Sequence, residues 1–186
     1  MPVQIGAKAH NFTDPTGLLS DCHRRVEMFL GMLEQVGASM DQPKTEEISR
    51  TLESALRYFG QAAPKHTADE EESLFPRLRQ IDSPEIRSAF QRLDKLEEDH
   101  RWAEPLHVEV ERLGVQYLLT GKLSEAEIAS FRNSVASLVT MYKQHISVED
   151  DVIFPLARKV LPEAEKLAIA DEMAGRRQVK LVTEFS

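Results

Sequence analysis

Apolar residues recur at alternating three- and four-residue intervals along most of the chain, the spacing that turns one side of a helix toward a core. Four long segments carry such a stripe. In the first, from about Pro15 to Val36, it reads Leu19, His23, Val26, Leu30 and Leu33. In the second, from Pro43 or Lys44 to about Gln80, it reads Ile48, Leu52, Ala55, Phe59, Ala62 and His66. The third, from Pro84 to Thr120, carries Ile86, Ala89, Leu93, Leu96, His100, Ala103, His107 and Val110. The fourth, from Ser124 to about Val160, carries Ile128, Phe131, Val135, Leu138, Tyr142, His145, Glu149, Val152 and Leu156. Thr13-Asp14-Pro15 and Ser83-Pro84-Glu85 each pair a capping side chain with a proline suited to a first helical turn, Ser124 and Glu127 form a capping box, and Gly121 is a stop signal.

Gly37 to Pro43 reads as a polar loop, residues 1–13 as an extended arm without periodicity, and Pro162 to Gly175 as a shorter fifth helix before a basic tail with Arg176, Arg177 and Lys180. No segment has a strand pattern. The expected fold is all-α: an up-down-up-down four-helix bundle with a short fifth C-terminal helix. One domain is expected over 1–186, with the bundle core at about 14–160 and the C-terminal helix and tail at 161–186.

Composition narrows the function. A chain of 186 residues and 21.1 kDa suits one domain with a real core. Its formal charge of −8 and pI near 5.3 disfavour nucleic acid and anionic membrane surfaces as partners. Mean hydropathy is −0.37, and no apolar run approaches the ~18 residues of a membrane span. The single cysteine excludes an intrachain disulfide and a thiolate zinc site, and with no charged-then-apolar leader it points to the cytoplasm.

Every one of the four helices has a histidine on its inward stripe, and four of these positions repeat. His66-x-x-x-Glu70-Glu-Glu-x-Leu-Phe75-Pro76 matches His145-x-x-x-Glu149-Asp-Asp-x-Ile-Phe154-Pro155, 79 positions on, and His23-Arg-x-x-Glu27 matches His100-Arg-x-x-Glu104, 77 positions on. A helix pair therefore recurs, bringing four histidines around a pseudo-twofold axis. Residues i and i+4 share a helix face about 6 Å apart, so His-x-x-x-Glu presents an imidazole and a carboxylate to one point. Glutamate follows histidine at i+4 for five of the six histidines, and such spacing also describes a surface ion pair worth a few tenths of a kcal/mol. Position on four core stripes separates the two readings: buried ionic groups persist only when compensated, and a bound metal pair compensates them.

At these residues the sequence resembles the hemerythrin-like family, the HHE cation-binding domain, with its H…H-x-x-x-E…H…H-x-x-x-E signature, over roughly residues 13 to 160. The resemblance implies a four-helix bundle around two non-haem iron ions joined by an oxo or hydroxo bridge. His23 and His66 would bind one iron, His100 and His145 the other, and Glu70 and Glu149 would bridge them; the same ligands would accept manganese or zinc. Oxygen-carrying hemerythrins place a histidine where this chain has Glu104, and an aspartate at the place of Asp150. The stripe favours Glu149 as the bridging residue, since Asp150 is turned about 100° away. Glu27 and Glu104, equivalent in the repeat, are candidate terminal carboxylates, the alternative being a hydrogen bond to a ligand histidine or a salt bridge with Arg24 or Arg101. Added carboxylates would stabilise Fe(III) and argue against simple oxygen carriage.

Away from these positions, His107 lies about 10.5 Å along the helix from His100 and is expected to pack or to act beside the ligands rather than among them. Cys22 is read as a packing residue, His10 as a surface residue, Tyr142 and Phe59 as pocket-lining candidates, Phe75 and Phe154 as plugs beside the metals, and Pro64, Pro76, Pro105 and Pro155 as kinks. The functional expectation is oxygen binding or a redox reaction at a di-iron site with dioxygen, peroxide or nitric oxide. Iron storage or ferroxidase-like handling, and a metal- or redox-sensing regulatory module with a protein partner, are the alternatives. Whether the chain is an enzyme, and its oligomeric state, stay open at this stage.

Overall fold

In the computed structural model, which describes residues 14–179, the helices begin where capping side chains stand. The Asp14 side chain accepts from the Gly17 amide at 2.9 Å and opens α1 (Pro15–Ser39). Thr45 caps α2 (Glu46–Gln61). α3 (Ala63–Ala68) and α4 (Phe75–Arg79) continue the same line, separated by a π-helical turn at Asp69–Leu74. Ser83 accepts from Ile86 at 3.1 Å at the start of α5 (Pro84–Thr120), which ends at Gly121 with φ 74°, a left-handed position that suits glycine. The Ser124–Glu127 capping box opens α6 (Glu125–Val148). A second π-helical turn at Glu149–Ile153 leads into α7 (Phe154–Val160), and α8 (Glu163–Arg176) closes the described chain. The N-terminal arm, His10 and Lys180 lie outside the described residues.

One expectation needs correction. The second and fourth stripes each predict one helix, kinked at its prolines, whereas the chain breaks at Ala62 and widens into π-helical turns at Asp69–Leu74 and Glu149–Ile153. Proline is the cause. Pro64 can offer no amide hydrogen to the Gly60 carbonyl, nor Pro76 to that of Glu72, nor Pro155 to that of Asp151, and each ring crowds the turn before it. At Pro76 and Pro155 the helix answers by looping out one residue: the Phe75 amide donates to the Glu70 carbonyl, and the Phe154 amide to that of Glu149, each five residues back. α5 runs through Pro105 as one element.

α1 packs against α2 and α6, and α5 against α6 and α2, closing the up-down-up-down ring. α8 lies across the first π turn and against α1. The apolar interior falls into two clusters. One contains Val26, Leu33, Leu52, Leu113, Tyr117, Phe131 and Leu138; the other contains Leu19, Leu74, Phe75, Leu93, Ile153, Phe154 and Met173. Between Leu19 and Val26 on α1 sits His23, between Leu96 and Ala103 on α5 sits His100, and between Met141 and Ile153 lie His145 and Glu149. A polar layer thus separates the two clusters. None of the described helices is long and apolar enough to cross a membrane.

Phe131 is fully buried in the first cluster, away from the polar layer. Phe131→Ala should therefore lower unfolding free energy by about 3–5 kcal/mol in urea titration while leaving metal content unchanged. A loss below about 1 kcal/mol would show that this cluster does not carry the bundle's stability.

Candidate metal centre

The polar layer is built from four histidines and two glutamates, each placed by a helix that points it inward. Glu70 and Glu149 are fully buried. His66 Nε2 lies 3.3 Å from Glu70 Oε1, and His145 Nε2 lies 3.1 Å from Glu149 Oε2, the two i,i+4 pairs of the repeat. The partners from the other helices converge on the same carboxylates. His23 Nε2 is 3.1 Å from Glu149 and 3.8 Å from Glu70, and His100 Nε2 is 3.6 Å from Glu70. The His23 and His66 rings meet edge to face at 4.9 Å, and those of His100 and His145 lie 4.6 Å apart.

Behind this inner set stands a second row of carboxylates. Asp150 takes Nδ1 of His23 at 3.0 Å, and Glu71 takes Nδ1 of His100 at 2.8 Å. These are equivalent residues of the repeat, each following the buried glutamate by one place. The wide turn of the π segments lets successive acidic residues serve different atoms: the first enters the centre, the second reaches the back of an imidazole on a neighbouring helix. Asp99 lies 3.6 Å from Nδ1 of His145, while Nδ1 of His66 is buried without a hydrogen bond. A carboxylate on the far nitrogen fixes the tautomer and turns Nε2, with its lone pair, toward a metal. Sequence reasoning missed this row, although the Glu-[Glu/Asp] pair in the duplicated motif was its signal.

Protonation follows the same charges. Burial pulls the His23 imidazolium down, but the hydrogen bond to Asp150 and the Glu149 and Glu70 carboxylates beside it outweigh it and hold its pKa at about 11. Burial would raise Glu149, yet the His145 and His23 charges beside it keep it well below the ordinary carboxylate range. Burial and the Glu149 charge push Glu70 up to about 7, and burial with the neighbouring His23 charge keeps His66 neutral. In the metal-free chain, protons supply the positive charge that the buried carboxylates require.

These residues fit a cation. Both oxygens of Glu70 and of Glu149 are buried without a hydrogen bond of acceptable geometry and are free to donate lone pairs inward, and Nε2 of His23, likewise without one, can do so once its proton leaves. Two sets of ligand atoms come together, Glu70 with His100, His145 and Glu149, and Glu70 with His23 and His66, each within 4.8 Å. Glu70 is common to both. Nitrogen and oxygen donors without thiolate suit iron, manganese or zinc.

A buried His/Glu layer in a four-helix bundle defines a metal-binding protein. The hemerythrin HHE cation-binding domain matches residues 14–157, and the chain belongs to that family. It is also 28% identical over 170 residues to an uncharacterized protein of Haemophilus influenzae, the match covering 91% of this chain and 93% of that one.

The structure does not bring Glu27 and Glu104 to the centre. Glu27 is 53% exposed and pairs with Arg24 at 3.1 Å, one of the two alternatives the sequence offered. Glu104 is exposed, at the rim of a pocket of about 330 Å³ that reaches His100. The i+4 position is rotated by about 40° from the histidine, and on α1 and α5 that rotation carries the side chain out of the bundle. Asp150 stands behind His23 and Glu149 inside, as the stripe indicates. Phe154 stacks on the His23 ring at 5.3 Å and 14°, and Phe75 is fully buried beside it in the same cluster. Cys22 is buried, with the Arg25 guanidinium on its sulfur at 2.9 Å. His107 donates to or accepts from the Tyr142 hydroxyl at 3.1 Å, and burial lowers its pKa to about 4, so it is neutral.

Binding of a divalent cation must displace the His23 proton and, near neutrality, part of that on Glu70. Apparent affinity should therefore rise with pH, about tenfold per unit for each proton released. Titration with Zn²⁺ or Mn²⁺ at pH 6, 7 and 8 measures the slope; a flat profile would show that neither proton is displaced.

Proposed function

We propose that the chain is a non-haem di-iron protein that reacts with dioxygen, peroxide or nitric oxide. His23 and His66 would hold one ion, His100 and His145 the other, with Glu70 and Glu149 between them. The observation that carries this reading is the pair of ligand sets sharing Glu70. Two imidazoles and the shared carboxylates would leave each ion open to a further ligand, which a small molecule needs. The iron pair, when bound, supplies one-electron redox chemistry and Lewis acidity.

The surrounding residues favour turnover over protected carriage. The pocket at His100 combines an apolar wall of Phe59, Ala63 and Tyr142 with Glu71, Arg101 and Glu104 at its mouth. Charged side chains on this pocket would admit water and protons to the centre, which favours turnover over reversible binding. The hydrogen-bonded His107–Tyr142 pair lies along the same wall and can orient a polar small molecule. With Glu27 and Glu104 outside the centre, the inner ligand set is not enriched in carboxylates, and it is the pocket that favours turnover.

Protein expressed with ample iron should contain about two iron ions per chain, as four-helix carboxylate bundles of this type do. His66→Ala or Glu149→Ala should lower both iron content and melting temperature; unchanged values in both would remove these residues from the ligand set. Stopped-flow mixing of the diferrous protein with oxygen or hydrogen peroxide should show irreversible oxidation or peroxide turnover, whereas a reversible oxygen adduct would establish carriage.

A further inference from the structure

The two halves of the repeat differ in what holds their π turns. Asp69, immediately before Glu70, is fully buried and ion-paired to two arginines that follow one another at the end of α8: Arg176 Nη1 at 2.9 Å and Arg177 Nη2 at 2.6 Å. Arg176 also reaches Glu72 at 3.1 Å. At the far end of the same turn, Arg77 donates to the Ser73 carbonyl at 2.9 Å and to Glu165 and Glu172 of α8 at 2.8 and 2.7 Å. α8 therefore grips the turn on both sides of Glu70. In the second half, the places of Asp69 and Arg77 are taken by Val148 and Leu156, whose side chains can form none of these ion pairs. Asp151, in the place of Glu72, hydrogen-bonds Ser147 within its own helix instead.

A duplicated metal motif needs no such grip to form, since the second copy forms without one. Asp69 costs free energy to bury, and that cost is met only while α8 is docked. We propose that Arg176 and Arg177 are positioning residues through which α8 sets the first π turn and the placement of Glu70, so that metal binding and docking of α8 strengthen each other. This rests on the metal reading of the centre given above. Glu70 is the carboxylate common to both ligand sets, so a shift of its backbone is felt by both ions. Reciprocity is then required: if docked α8 raises metal affinity by some factor, bound metal raises the docking equilibrium of α8 by the same factor. The device gives the regulatory alternative a physical basis, because the metal state of the core would be reported by a surface helix.

The test uses Co²⁺, whose visible spectrum reports coordination, and hydrogen exchange of the amides in Glu163–Arg176. On adding Co²⁺ to the full chain, exchange in α8 should slow by about 5- to 150-fold, the range of ordinary site-to-site coupling. Arg176→Gln with Arg177→Gln should weaken Co²⁺ binding by a similar factor and alter its spectrum, and Arg176→Lys with Arg177→Lys should restore most of both. Co²⁺ uptake with α8 exchange unchanged, or glutamine variants that bind as the parent does, would overturn the inference alone. No Co²⁺ uptake by the parent chain would overturn the metal reading and the inference with it. The exchange measurement needs no variant, so it can still overturn the inference where the glutamine pair fails to fold.

Discussion

Two carboxylates with no access to water set the terms for this bundle. Glu70 and Glu149 are fully buried, and an ionised carboxylate in a protein interior costs several kcal/mol unless opposite charge and hydrogen-bond donors surround it. The response extends outward in alternating sign. Glu149 meets His23, whose far nitrogen meets Asp150, which in turn pairs with Arg24 and accepts from Ser20. Glu149 also meets His145, behind which lie Asp99 and then Lys95. Glu149 is thus tied to surface charges on two sides, each time through a single imidazole and a single carboxylate, with the closer contacts on the His23 side.

The duplicated Phe-Pro sequences contribute to this arrangement through backbone geometry. Proline withholds an amide hydrogen, the helix widens by one residue, and consecutive acidic side chains are released from the strict rotation of an α-helix. Glu70 and Glu71, like Glu149 and Asp150, then reach an inner and an outer position from adjacent places in the chain. The phenylalanine before each proline is buried below the polar layer, closing that side of the centre to water.

Much of this was legible in the sequence. Stripe spacing places all four inward histidines and both buried glutamates, and capping residues place the starts of α1, α5 and α6, because both signals depend on local rotation and local hydrogen bonding. The resemblance to the HHE domain rests on the same residues and is upheld by the match over 14–157. What could not be read were contacts between helices. Glu27 and Glu104 share their histidines' helical face closely enough to look like ligands, and only the packing of neighbouring helices shows that this edge faces solvent. The reach of Asp150 and Glu71 across to other helices, and of Arg176 to Asp69, joins residues more than a hundred or some tens of positions apart, which no local pattern encodes. The π turns fall between these cases: the prolines announce a disturbance, but whether the helix bends, breaks or widens depends on what the surrounding side chains must reach.

The division of the interior into two apolar clusters has a bearing on how the molecule comes apart. Each cluster draws residues from α1, from the α2-to-α4 stretch, from α5 and from α6 or its continuation. The seam between them is polar. A seam whose charges are balanced transmits packing from one cluster to the other, and the bundle melts as one cooperative unit. A seam left unbalanced is a line of weakness, along which the end closed by α7 and α8 can loosen while the end around Phe131 and Tyr117 stays packed. The number of folding units in this chain is therefore a property of its electrostatics as much as of its topology.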